Sequence, residues 1–312
     1  MGSRDSSHSD PFRLDPARVR RAFERAASTF DSAAVLHHEV GRRMAERLAL
    51  VRLQPVAILD AGCGTGDGTA ELRTRFAAAS IVGLDIAWAM VVAAQRRLSS
   101  SATAERSILR RWLGAGADAR GPAAFVCADA CRLPFASGGF DLVWSNLALQ
   151  WIDEPRRAFA EFHRALRAGG LFMFTTLGPD TLTELRAAFA RLDAAIHVHR
   201  FIDMHDVGDM LLHAGFAEPV MDMEKITLTY ADASGLVRDL RSTGARNAAA
   251  GRPRGLMGRA RWQRVLAGLE GFRRDGRLPA TFEVVYGHAW KGEPRTSDDG
   301  RAIVRFRARP GR

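Results

Sequence analysis

The sequence predicts an α/β fold in which helices cover both faces of a parallel sheet. Short apolar runs alternate with segments of helical periodicity from residue 57 onward, and parallel strands joined by crossover helices require this alternation. The first apolar run ends at Asp60 and Ala61, three glycines follow at alternate positions from Gly62, and the second run ends at Asp85. Ligands of open α/β sheets bind beyond the carboxyl ends of the strands, so these residues mark a candidate binding site.

Seven apolar runs predict the strands of this sheet. They cover residues 57–61, 81–85, 124–129, 140–146, 170–176, 220–230 and 281–290. Helices are predicted over residues 18–29, 36–50, 71–78, 88–98, 154–166, 181–192 and 205–213, with a longer helical segment from 234 past 262. In the second helix, for example, Val40, Met44 and Leu48 share one face. Residues 99–121 are rich in Ser, Ala, Arg and Gly, which predicts a surface loop with a short helix at 108–113.

The composition is that of a folded globular protein, with 47% hydrophobic and 26% charged residues. No apolar run is long enough to span a membrane, and the first ten residues lack the apolar region of a secretion signal. Cys63, Cys127 and Cys131 are too few for a disulfide framework and lie near the predicted ligand loops. We therefore expect a cytoplasmic protein in a reducing compartment.

The positive charge is concentrated in one part of the chain. The formal net charge is +10, and eleven arginines against three acids, Asp239, Glu270 and Asp275, lie within residues 238–277. Such a surface suits an acidic partner, because opposite charge accelerates encounter by electrostatic steering. The arginine excess also fits two simpler origins, a GC-rich genome that raises the arginine content and a solvated helical face to which each arginine can belong.

The spacing of the glycines indicates the kind of ligand. It differs from the G-x-G-x-x-G pattern that binds a dinucleotide pyrophosphate, which argues against a nicotinamide-dependent dehydrogenase. An acid directly before the glycines, Asp60, suits a ligand with an ammonium group better than one with phosphates. A carboxylate at Asp85 can accept hydrogen bonds from both hydroxyls of a ribose. These features favour S-adenosylmethionine, and the alternative is a tight turn with solvated carboxylates.

Two further strand ends supply groups that suit the same ligand. Asp129 and Ala130 follow the third strand, where a carboxylate and a backbone N–H can read the edge of adenine. Residues 146–151, NLALQW, follow the fourth strand and can close one side of the pocket. Suitable groups at four consecutive strand ends are more specific than any one motif.

Residues 54–177 resemble class I S-adenosylmethionine-dependent methyltransferases, which implies a Rossmann-like, seven-stranded methyltransferase sheet. Other segments resemble the malonyl-acyl carrier protein O-methyltransferases of early biotin biosynthesis. They read RAFERAASTFDSAAVLHHEVG, SNLALQWIDEP, TTLGPDTLTELRAAF, DLRSTGARNA and LPATFEVVYGHAWK, and the similarity covers most of residues 16–291. One departure is Phe30, where the family often has tyrosine, so a ring is retained and a hydroxyl contact is lost.

The chain divides into five expected regions. Residues 1–15 are expected to form a disordered tail, and residues 16–50 a helical lid over the ligand. Residues 51–231 form the S-adenosylmethionine-binding core. Residues 232–291 form a basic lobe for substrate and carrier, in which helices are inserted before the last strand. Residues 292–312 form a basic tail.

The resemblance implies transfer of a methyl group to the free carboxylate of malonyl on acyl carrier protein or on coenzyme A. That carboxylate is an anion at neutral pH, so no general base is needed and positioning carries the catalysis. The expected cofactor-binding residues are Phe30, Asp60, Gly62, Cys63, Gly64, Asp85, Ile86, Met90, Asp129, Ala130, Asn146 and Gln150. Of the residues expected at the substrate, Arg241 and Arg246 would orient the carboxylate, and Trp151 and His288 would form the pocket wall.

The remaining expectations concern metals, partners and alternative functions. His197 and His199 have no further cysteine or histidine at a supporting spacing, so no metal site is expected. No nucleic acid or membrane is expected as a partner. Two alternative functions stay open: a methyltransferase for a small carboxylic acid or quinone precursor, and a methyltransferase-like assembly factor without activity.

Overall fold

The computed structural model describes residues 10, 12–109 and 122–293, with the backbone alone over 100–109. Within these residues the strands are β1 (Ala57–Ala61), β2 (Ser80–Asp85), β3 (Ala123–Cys127), β4 (Phe140–Ser145), β5 (Leu166–Leu177), β6 (Phe216–Tyr230) and β7 (Leu278–Lys291). They form one sheet in the order β3-β2-β1-β4-β5-β7-β6. Strand β7 is antiparallel to both β5 and β6, and the other pairs are parallel. The predicted seven-stranded α/β sheet is confirmed, with one strand in the opposite direction.

Helices cover both faces of the sheet, and three of them precede β1. In the described residues they are α1 (Pro16–Ala26), α2 (Phe30–Ala33), α3 (Val35–Leu48), α4 (Asp67–Arg75), α5 (Trp88–Leu109), α6 (Pro155–Ala165), α7 (Thr183–Ala190), α8 (Met204–His213), α9 (Ala233–Ser242) and α10 (Arg259–Glu270). Helix α1 begins where the sequence requires it, because Asp15 caps the N–H groups of Ala17 and Arg18 and Pro16 follows the cap. A cap of this kind contributes about 1 kcal/mol.

The core lies on both faces of the central strands. Trp144 of β4 packs in a buried cluster with Met44 of α3, whereas its neighbour Val143 packs in the cluster of Phe159 on the opposite face. Successive residues of a strand point to opposite faces, so β4, which is buried along its whole length, contributes to both clusters. The predicted apolar face of α3 is buried, which makes this helix part of the core as well as a neighbour of the site.

Two helical regions differ from the prediction. Helix α5 continues to Leu109, so the loop predicted from residue 99 is wrong over 99–107, whereas residues 108 and 109 are helical as predicted. Ala102, Ala104 and Glu105 have high helix propensity. The rest of that segment, residues 110–121, lies outside the described residues. The long helical segment from 234 past 262 is two helices, because the chain turns at Gly244, whose φ is 76°.

The strand order creates the crevice that holds the site. The chain runs outward from β1 to β3 and then returns to β4 on the other side of β1, and a ligand can enter at this reversal. Strand β7 does not end at this edge of the sheet. Leu171, near the start of β5, pairs with Trp290 near the end of β7.

The ends of the chain are described in part. Residues 1–9, 11 and 294–312, which contain most of both predicted tails, lie outside the described residues. Residues 12–15, which the sequence assigns to the first tail, make defined contacts, since Leu14 forms a bridge with Ala249. No helix in the described part of the chain is long and apolar enough to cross a membrane.

Candidate active site

A cavity of about 500 Å³ opens at the carboxyl ends of β1 to β4. The strand ends form one side of it, and α1, α2 and the residues before α1 cover the other. The predicted site residues that line it are Phe30, Gly62, Gly64, Asp85, Ile86, Met90, Asp129, Ala130, Asn146 and Trp151. The fold thus brings together residues that are widely separated in the sequence.

The turn after β1 consists of glycines because its backbone is left-handed and closely packed. Gly62, Gly64 and Gly66 have φ angles of 83°, 53° and 86°, a region that side chains disfavour. A Cβ on Gly62 would lie 2.3 Å from the Cβ of Ala148, whereas a Cβ on Gly64 would meet nothing within 4 Å. Since Gly64 lines the cavity, a ligand can approach its bare backbone.

Asp85 holds the glycine turn against the end of β2. Its Oδ2 accepts a hydrogen bond from the N–H of Gly64 at 3.0 Å, and its Oδ1 accepts one from the N–H of Ala87 at 2.8 Å. Burial raises the pKa of Asp85 to about 6, although these N–H groups lower it. A carboxylate accepts about four hydrogen bonds, so Asp85 keeps capacity for the two hydroxyls of a ribose.

Asp60 and Cys63 line a smaller cavity of about 50 Å³ that shares part of its wall with the first. The Asp60 carboxylate accepts a hydrogen bond from the Thr69 hydroxyl at 2.5 Å, and burial raises its pKa to about 7. Trp144 Nε1 is buried there with no hydrogen-bond partner in the described part of the protein. A Cβ on Gly68 would lie 3.3 Å from this nitrogen and 3.6 Å from Asp60 Oδ2.

This donor and acceptor fit the amino-acid end of S-adenosylmethionine, the cofactor that the resemblance implies. An ammonium group can donate to Asp60, and a carboxylate group can accept from the Trp144 Nε1–H. The missing Cβ of Gly68 leaves space beside both buried atoms. An ammonium group beside Asp60 would also favour the ionised carboxylate, which burial alone disfavours.

The third strand end provides a polar edge beside an apolar wall. Asp129 Oδ1 accepts a hydrogen bond from the N–H of Cys131 at 2.8 Å, which fixes the turn after β3. Ala130, Ile86 and the buried Met90 line the cavity next to it. Apolar walls with a few polar groups are typical of pockets for aromatic ligands, and they suit an adenine base here.

Aromatic rings cover the cavity. Phe30 packs edge-on against His37 with ring centroids 4.9 Å apart, and Phe23 of α1 packs edge-on against Trp151 at 5.3 Å. Trp151 also contacts His199 at 4.9 Å. The structure therefore places a ring at Phe30 in the cover, although the tyrosine hydroxyl of the family is absent.

Asn146 and Gln150 occupy different places. Asn146 lines the cavity with a fixed side chain, because its Nδ2 donates to His37 O at 3.0 Å and its Oδ1 accepts from the Thr175 hydroxyl at 2.7 Å. Gln150 instead lines a neighbouring cavity of about 290 Å³, and its Nε2 donates to Leu147 O at 2.7 Å. A cofactor contact by Gln150 stays a prediction.

We call the cavity of about 500 Å³ the cofactor cavity. Three of the four predicted substrate residues do not line it. Arg241 and Arg246 line a separate cavity of about 440 Å³ between α1, α9 and α10. His288 lies within β7, where it pairs with Met173 of β5. Because β7 is antiparallel, it begins at the edge of the sheet where β5 ends. Residues late in β7, such as His288, therefore lie away from that edge. Of the four, Trp151 lines the cofactor cavity.

Sequence reasoning missed the residues that fasten the cover. Asp153 accepts a hydrogen bond from the Arg13 guanidinium and one from the N–H of Leu14, both at 2.7 Å. Leu14 also forms the bridge with Ala249. We call these contacts the clasp. A signal was available, since Asp153 belongs to the segment SNLALQWIDEP that carries the family resemblance.

Glu24 is a second missed residue. Its carboxylate oxygens accept hydrogen bonds from the N–H groups of Trp88 at 2.7 Å and Ala89 at 3.0 Å. These N–H groups belong to the first turn of α5, which has no carbonyl partners for them, so Glu24 of α1 caps α5. No local pattern signals this contact, because the partners are 64 positions apart.

Two buried histidines, His37 and His199, pack against the rings that cover the cavity. Burial lowers the pKa of both His37 and His199 to about 4, so both imidazoles are neutral at pH 7. Neutral rings suit a cationic ligand, which a histidinium would repel. His37 lines the cavity, and His199 supports Trp151.

Comparison with known proteins finds relatives along almost the whole chain. A family model described as a methyltransferase domain matches residues 59–174. The malonyl-[acyl-carrier protein] O-methyltransferase of Laribacter hongkongensis is 54% identical over 95% of this chain and 97% of its own. The protein of the same name from Methylovorus sp. is 52% identical over 96% of this chain and 97% of its own.

Solved structures share the fold. The YcgJ protein of Bacillus subtilis has a TM-score of 0.56 and 17% identity, covering 83% of this chain and 100% of its own. A protein of Bacillus halodurans has a TM-score of 0.55 and 17% identity, covering 80% and 99%. At this identity the likeness concerns the fold alone. The sequence relatives match nearly the whole chain at much higher identity, and the chain therefore belongs to the malonyl-[acyl-carrier protein] O-methyltransferase family.

Proposed function

We propose that this protein transfers a methyl group from S-adenosylmethionine to the free carboxylate of a malonyl group carried on acyl carrier protein. The observation that supports this most is the extent of the similarity. Relatives of that name match 95% of this chain, whereas the methyltransferase domain accounts for residues 59–174. The similarity therefore includes the arginine-rich residues 238–277, which lie outside the cofactor core.

The reaction requires no general acid or base. S-adenosylmethionine, when bound, supplies an electrophilic methyl group on a sulfonium. The malonyl carboxylate is already an anion, so it attacks without a general base, and the products are a methyl ester and S-adenosylhomocysteine. What the protein contributes is in-line positioning, which is worth about 7 to 11 kcal/mol in well-oriented systems.

The residues of the cavity serve this positioning. Asp60 and Asp85 offer hydrogen-bond acceptors to the two ends of the cofactor. The rings of Phe23, Phe30 and Trp151 exclude water from the space in which a carboxylate would meet the methyl group. Excluding water matters because a hydrated carboxylate is a weaker nucleophile.

The basic lobe supports a carrier protein as the partner. Carrier proteins are acidic helical bundles, and an arginine-rich surface accelerates their encounter. Leu256 is fully exposed between Arg254 and Arg259, both of which are exposed as well. An apolar side chain framed by charges is typical of the centre of a protein interface.

Incubation of the purified protein with labelled S-adenosylmethionine and malonyl-carrier tests the proposal. Mass spectrometry of the acyl group is expected to show one added methyl, and acetyl-carrier, which lacks the free carboxylate, is expected to stay unmodified. Preference for free malonate would favour the small-acid methyltransferase. Binding of the cofactor without any methyl transfer would favour the assembly factor.

A genetic test addresses the place in biotin synthesis. The gene is expected to restore growth without biotin to a bacterium that cannot make the malonyl methyl ester, and a gene carrying Asp85→Ala is expected to restore it poorly. Failure of the well-expressed wild-type gene would contradict the proposal.

A further inference from the structure

The cavity between α1, α9 and α10 has the composition of an anion site. It has a volume of about 440 Å³ and lies beside, not within, the cofactor cavity. Its lining includes Arg25, Arg238, Arg241, Arg246, Ser234 and Trp262. We call it the arginine cavity. Four guanidinium groups around one concave space offer many N–H donors in the planar geometry that phosphate oxygens accept in pairs.

Among the residues that the structure describes, no acid pairs with these arginines. None of the four guanidinium groups has an ion-pair or hydrogen-bond partner among the residues that the structure describes. The nearest acids in the sequence are engaged elsewhere. Glu24 caps α5, Asp232 accepts a hydrogen bond from the N–H of Gly235, and Asp239 interacts with the Tyr230 hydroxyl. The arginine cavity therefore keeps an uncompensated positive charge.

The arginine cavity and the cofactor cavity share a thin wall. Thr29 lines the arginine cavity, and the next residue, Phe30, lines the cofactor cavity. Gly244 lies between Ser242 and Arg246 of the arginine cavity and packs against Phe23 of the cofactor cavity. A Cβ on Gly244 would lie 3.0 Å from Phe23 Cδ1. A flexible chain held at one end in the arginine cavity has its other end within reach of the cofactor.

We propose that the arginine cavity binds the phosphate of the phosphopantetheine arm that carries the malonyl thioester. The inference rests on the proposed function and names a second site for the same substrate. In both carrier protein and coenzyme A, this arm is a flexible, uncharged chain with the thioester at one end and phosphate at the other. Trp262 provides an apolar wall beside the guanidinium groups, which suits the chain next to the phosphate.

The chemistry favours phosphate over the reacting carboxylate as the occupant. A tight ion pair with several arginines would lower the nucleophilicity of the carboxylate, because it stabilises the ground state as much as the transition state. A phosphate at the far end of the arm takes no part in bond formation, so strong binding there costs no reactivity. Arg241 and Arg246 are thereby reassigned from orienting the carboxylate to holding the arm.

A binding experiment tests the site without turnover. Titration calorimetry compares pantetheine 4′-phosphate with pantetheine, each added to the protein saturated with S-adenosylhomocysteine. Wild type is expected to bind the phosphate at least about tenfold more tightly, a preference that Arg241→Ala/Arg246→Ala removes and added salt weakens. Arg52→Ala/Arg96→Ala, which removes the same charge from two exposed arginines elsewhere, is expected to keep it. Equal binding of both compounds by wild type would overturn the proposal.

Steady-state kinetics distinguish the phosphate of the arm from other anions that could bind in the arginine cavity. With malonyl-pantetheine, its 4′-phosphate, malonyl-coenzyme A and malonyl-carrier as substrates, the double variant is expected to lose kcat/KM for the three phosphorylated substrates only. A loss confined to malonyl-coenzyme A would mean that its adenosine phosphates are the anion that binds. An equal loss with malonyl-pantetheine would mean that the arginines orient the carboxylate, and a loss confined to malonyl-carrier would mean that they contact acidic residues of the carrier. Each of these three results would overturn the proposal, whereas no methylation of any malonyl thioester would instead contradict the proposed function.

Discussion

The carboxylate of Asp85 and the backbone N–H of Gly64 form a hydrogen bond of 3.0 Å on the strand-end side of the cofactor cavity. This bond joins the turn after β1 to the end of β2, so the two loops that meet the ligand are held in one geometry before it arrives. Preorganisation of this kind reduces the entropy that binding has to overcome.

Replacing Asp85 with alanine is expected to weaken the binding of S-adenosylmethionine and S-adenosylhomocysteine by about 2 to 3 kcal/mol, since charge-assisted hydrogen bonds to the ribose are lost. Titration calorimetry measures both ligands. Asp85→Asn is the matched control of similar shape, and it is expected to lose less because one oxygen acceptor remains. Wild-type affinity in the alanine variant would show that the carboxylate does not contact the ligand.

Cofactor affinity is expected to rise with pH. Burial raises the pKa of Asp85 to about 6 and that of Asp60 to about 7 in the protein without ligand. The cofactor favours the ionised form of both carboxylates, because charge-assisted hydrogen bonds are the stronger ones, so protons compete with it below these values. Calorimetry from about pH 5 to about pH 8 is expected to show the affinity rising most steeply below about pH 6, where both carboxyls are protonated without ligand, and levelling off above about pH 7. A flat profile over that range would contradict the assignment of both acids.

Asp60→Asn is expected to stabilise the ligand-free protein. The folded pKa of about 7 lies above the unfolded value of about 3.9, so the native state binds the proton more tightly than the unfolded state. Ionisation of Asp60 therefore costs stability above the folded pKa and costs none below the unfolded one. The gain in Tm over wild type is expected to be large at about pH 8 and small at about pH 4. An equal gain at both pH values would rule out buried charge as the cause.

Two glycine substitutions are expected to separate folding from binding. Gly62→Ala places its Cβ 2.3 Å from Ala148 Cβ, so thermal unfolding is expected at clearly lower temperature. Gly64→Ala meets no atom within 4 Å and is expected to cost only the strain of a positive φ, about 1 kcal/mol, while its methyl group obstructs the cavity and abolishes cofactor binding. Tight binding by Gly64→Ala would mean that the ligand does not approach this backbone.

Carrier recognition is expected to depend on the exposed loop before α10. Arg254→Glu/Arg259→Glu is expected to raise KM for malonyl-carrier and leave cofactor affinity unchanged, because steering acts on the encounter alone. Arg252 is left intact, since its Nη1 donates to Ala249 O at 3.0 Å next to the clasp. The charge-matched control, Arg52→Glu/Arg96→Glu, lies elsewhere on the surface. Unchanged KM at low salt would exclude this loop from docking.

The sequence was sufficient where structure depends on local pattern. Strands β1, β2 and β4 are mostly apolar and end at or beside Asp60, Asp85 and Asn146, so both the sheet and one edge of the site could be predicted. Where partners are distant in the sequence, prediction was incomplete. Alternation along β7 tells which residues share a face with His288 but not that the strand is antiparallel, and arginine spacing tells the charge near Arg241 but not which cavity it lines.

The clasp determines when the site can form during synthesis. Leu14 leaves the ribosome about 235 residues before Ala249, its partner in the clasp. Contacts so far apart in the sequence form late, since the loop between them must close first. A nascent chain that has completed β1 to β4 therefore has the glycine turn and Asp85 but no fastened cover. A chain truncated after residue 247 would lose Ala249 and β7 together, so the fastening of the cover and the sheet pairs of β5 and β6 depend on the same late part of the chain.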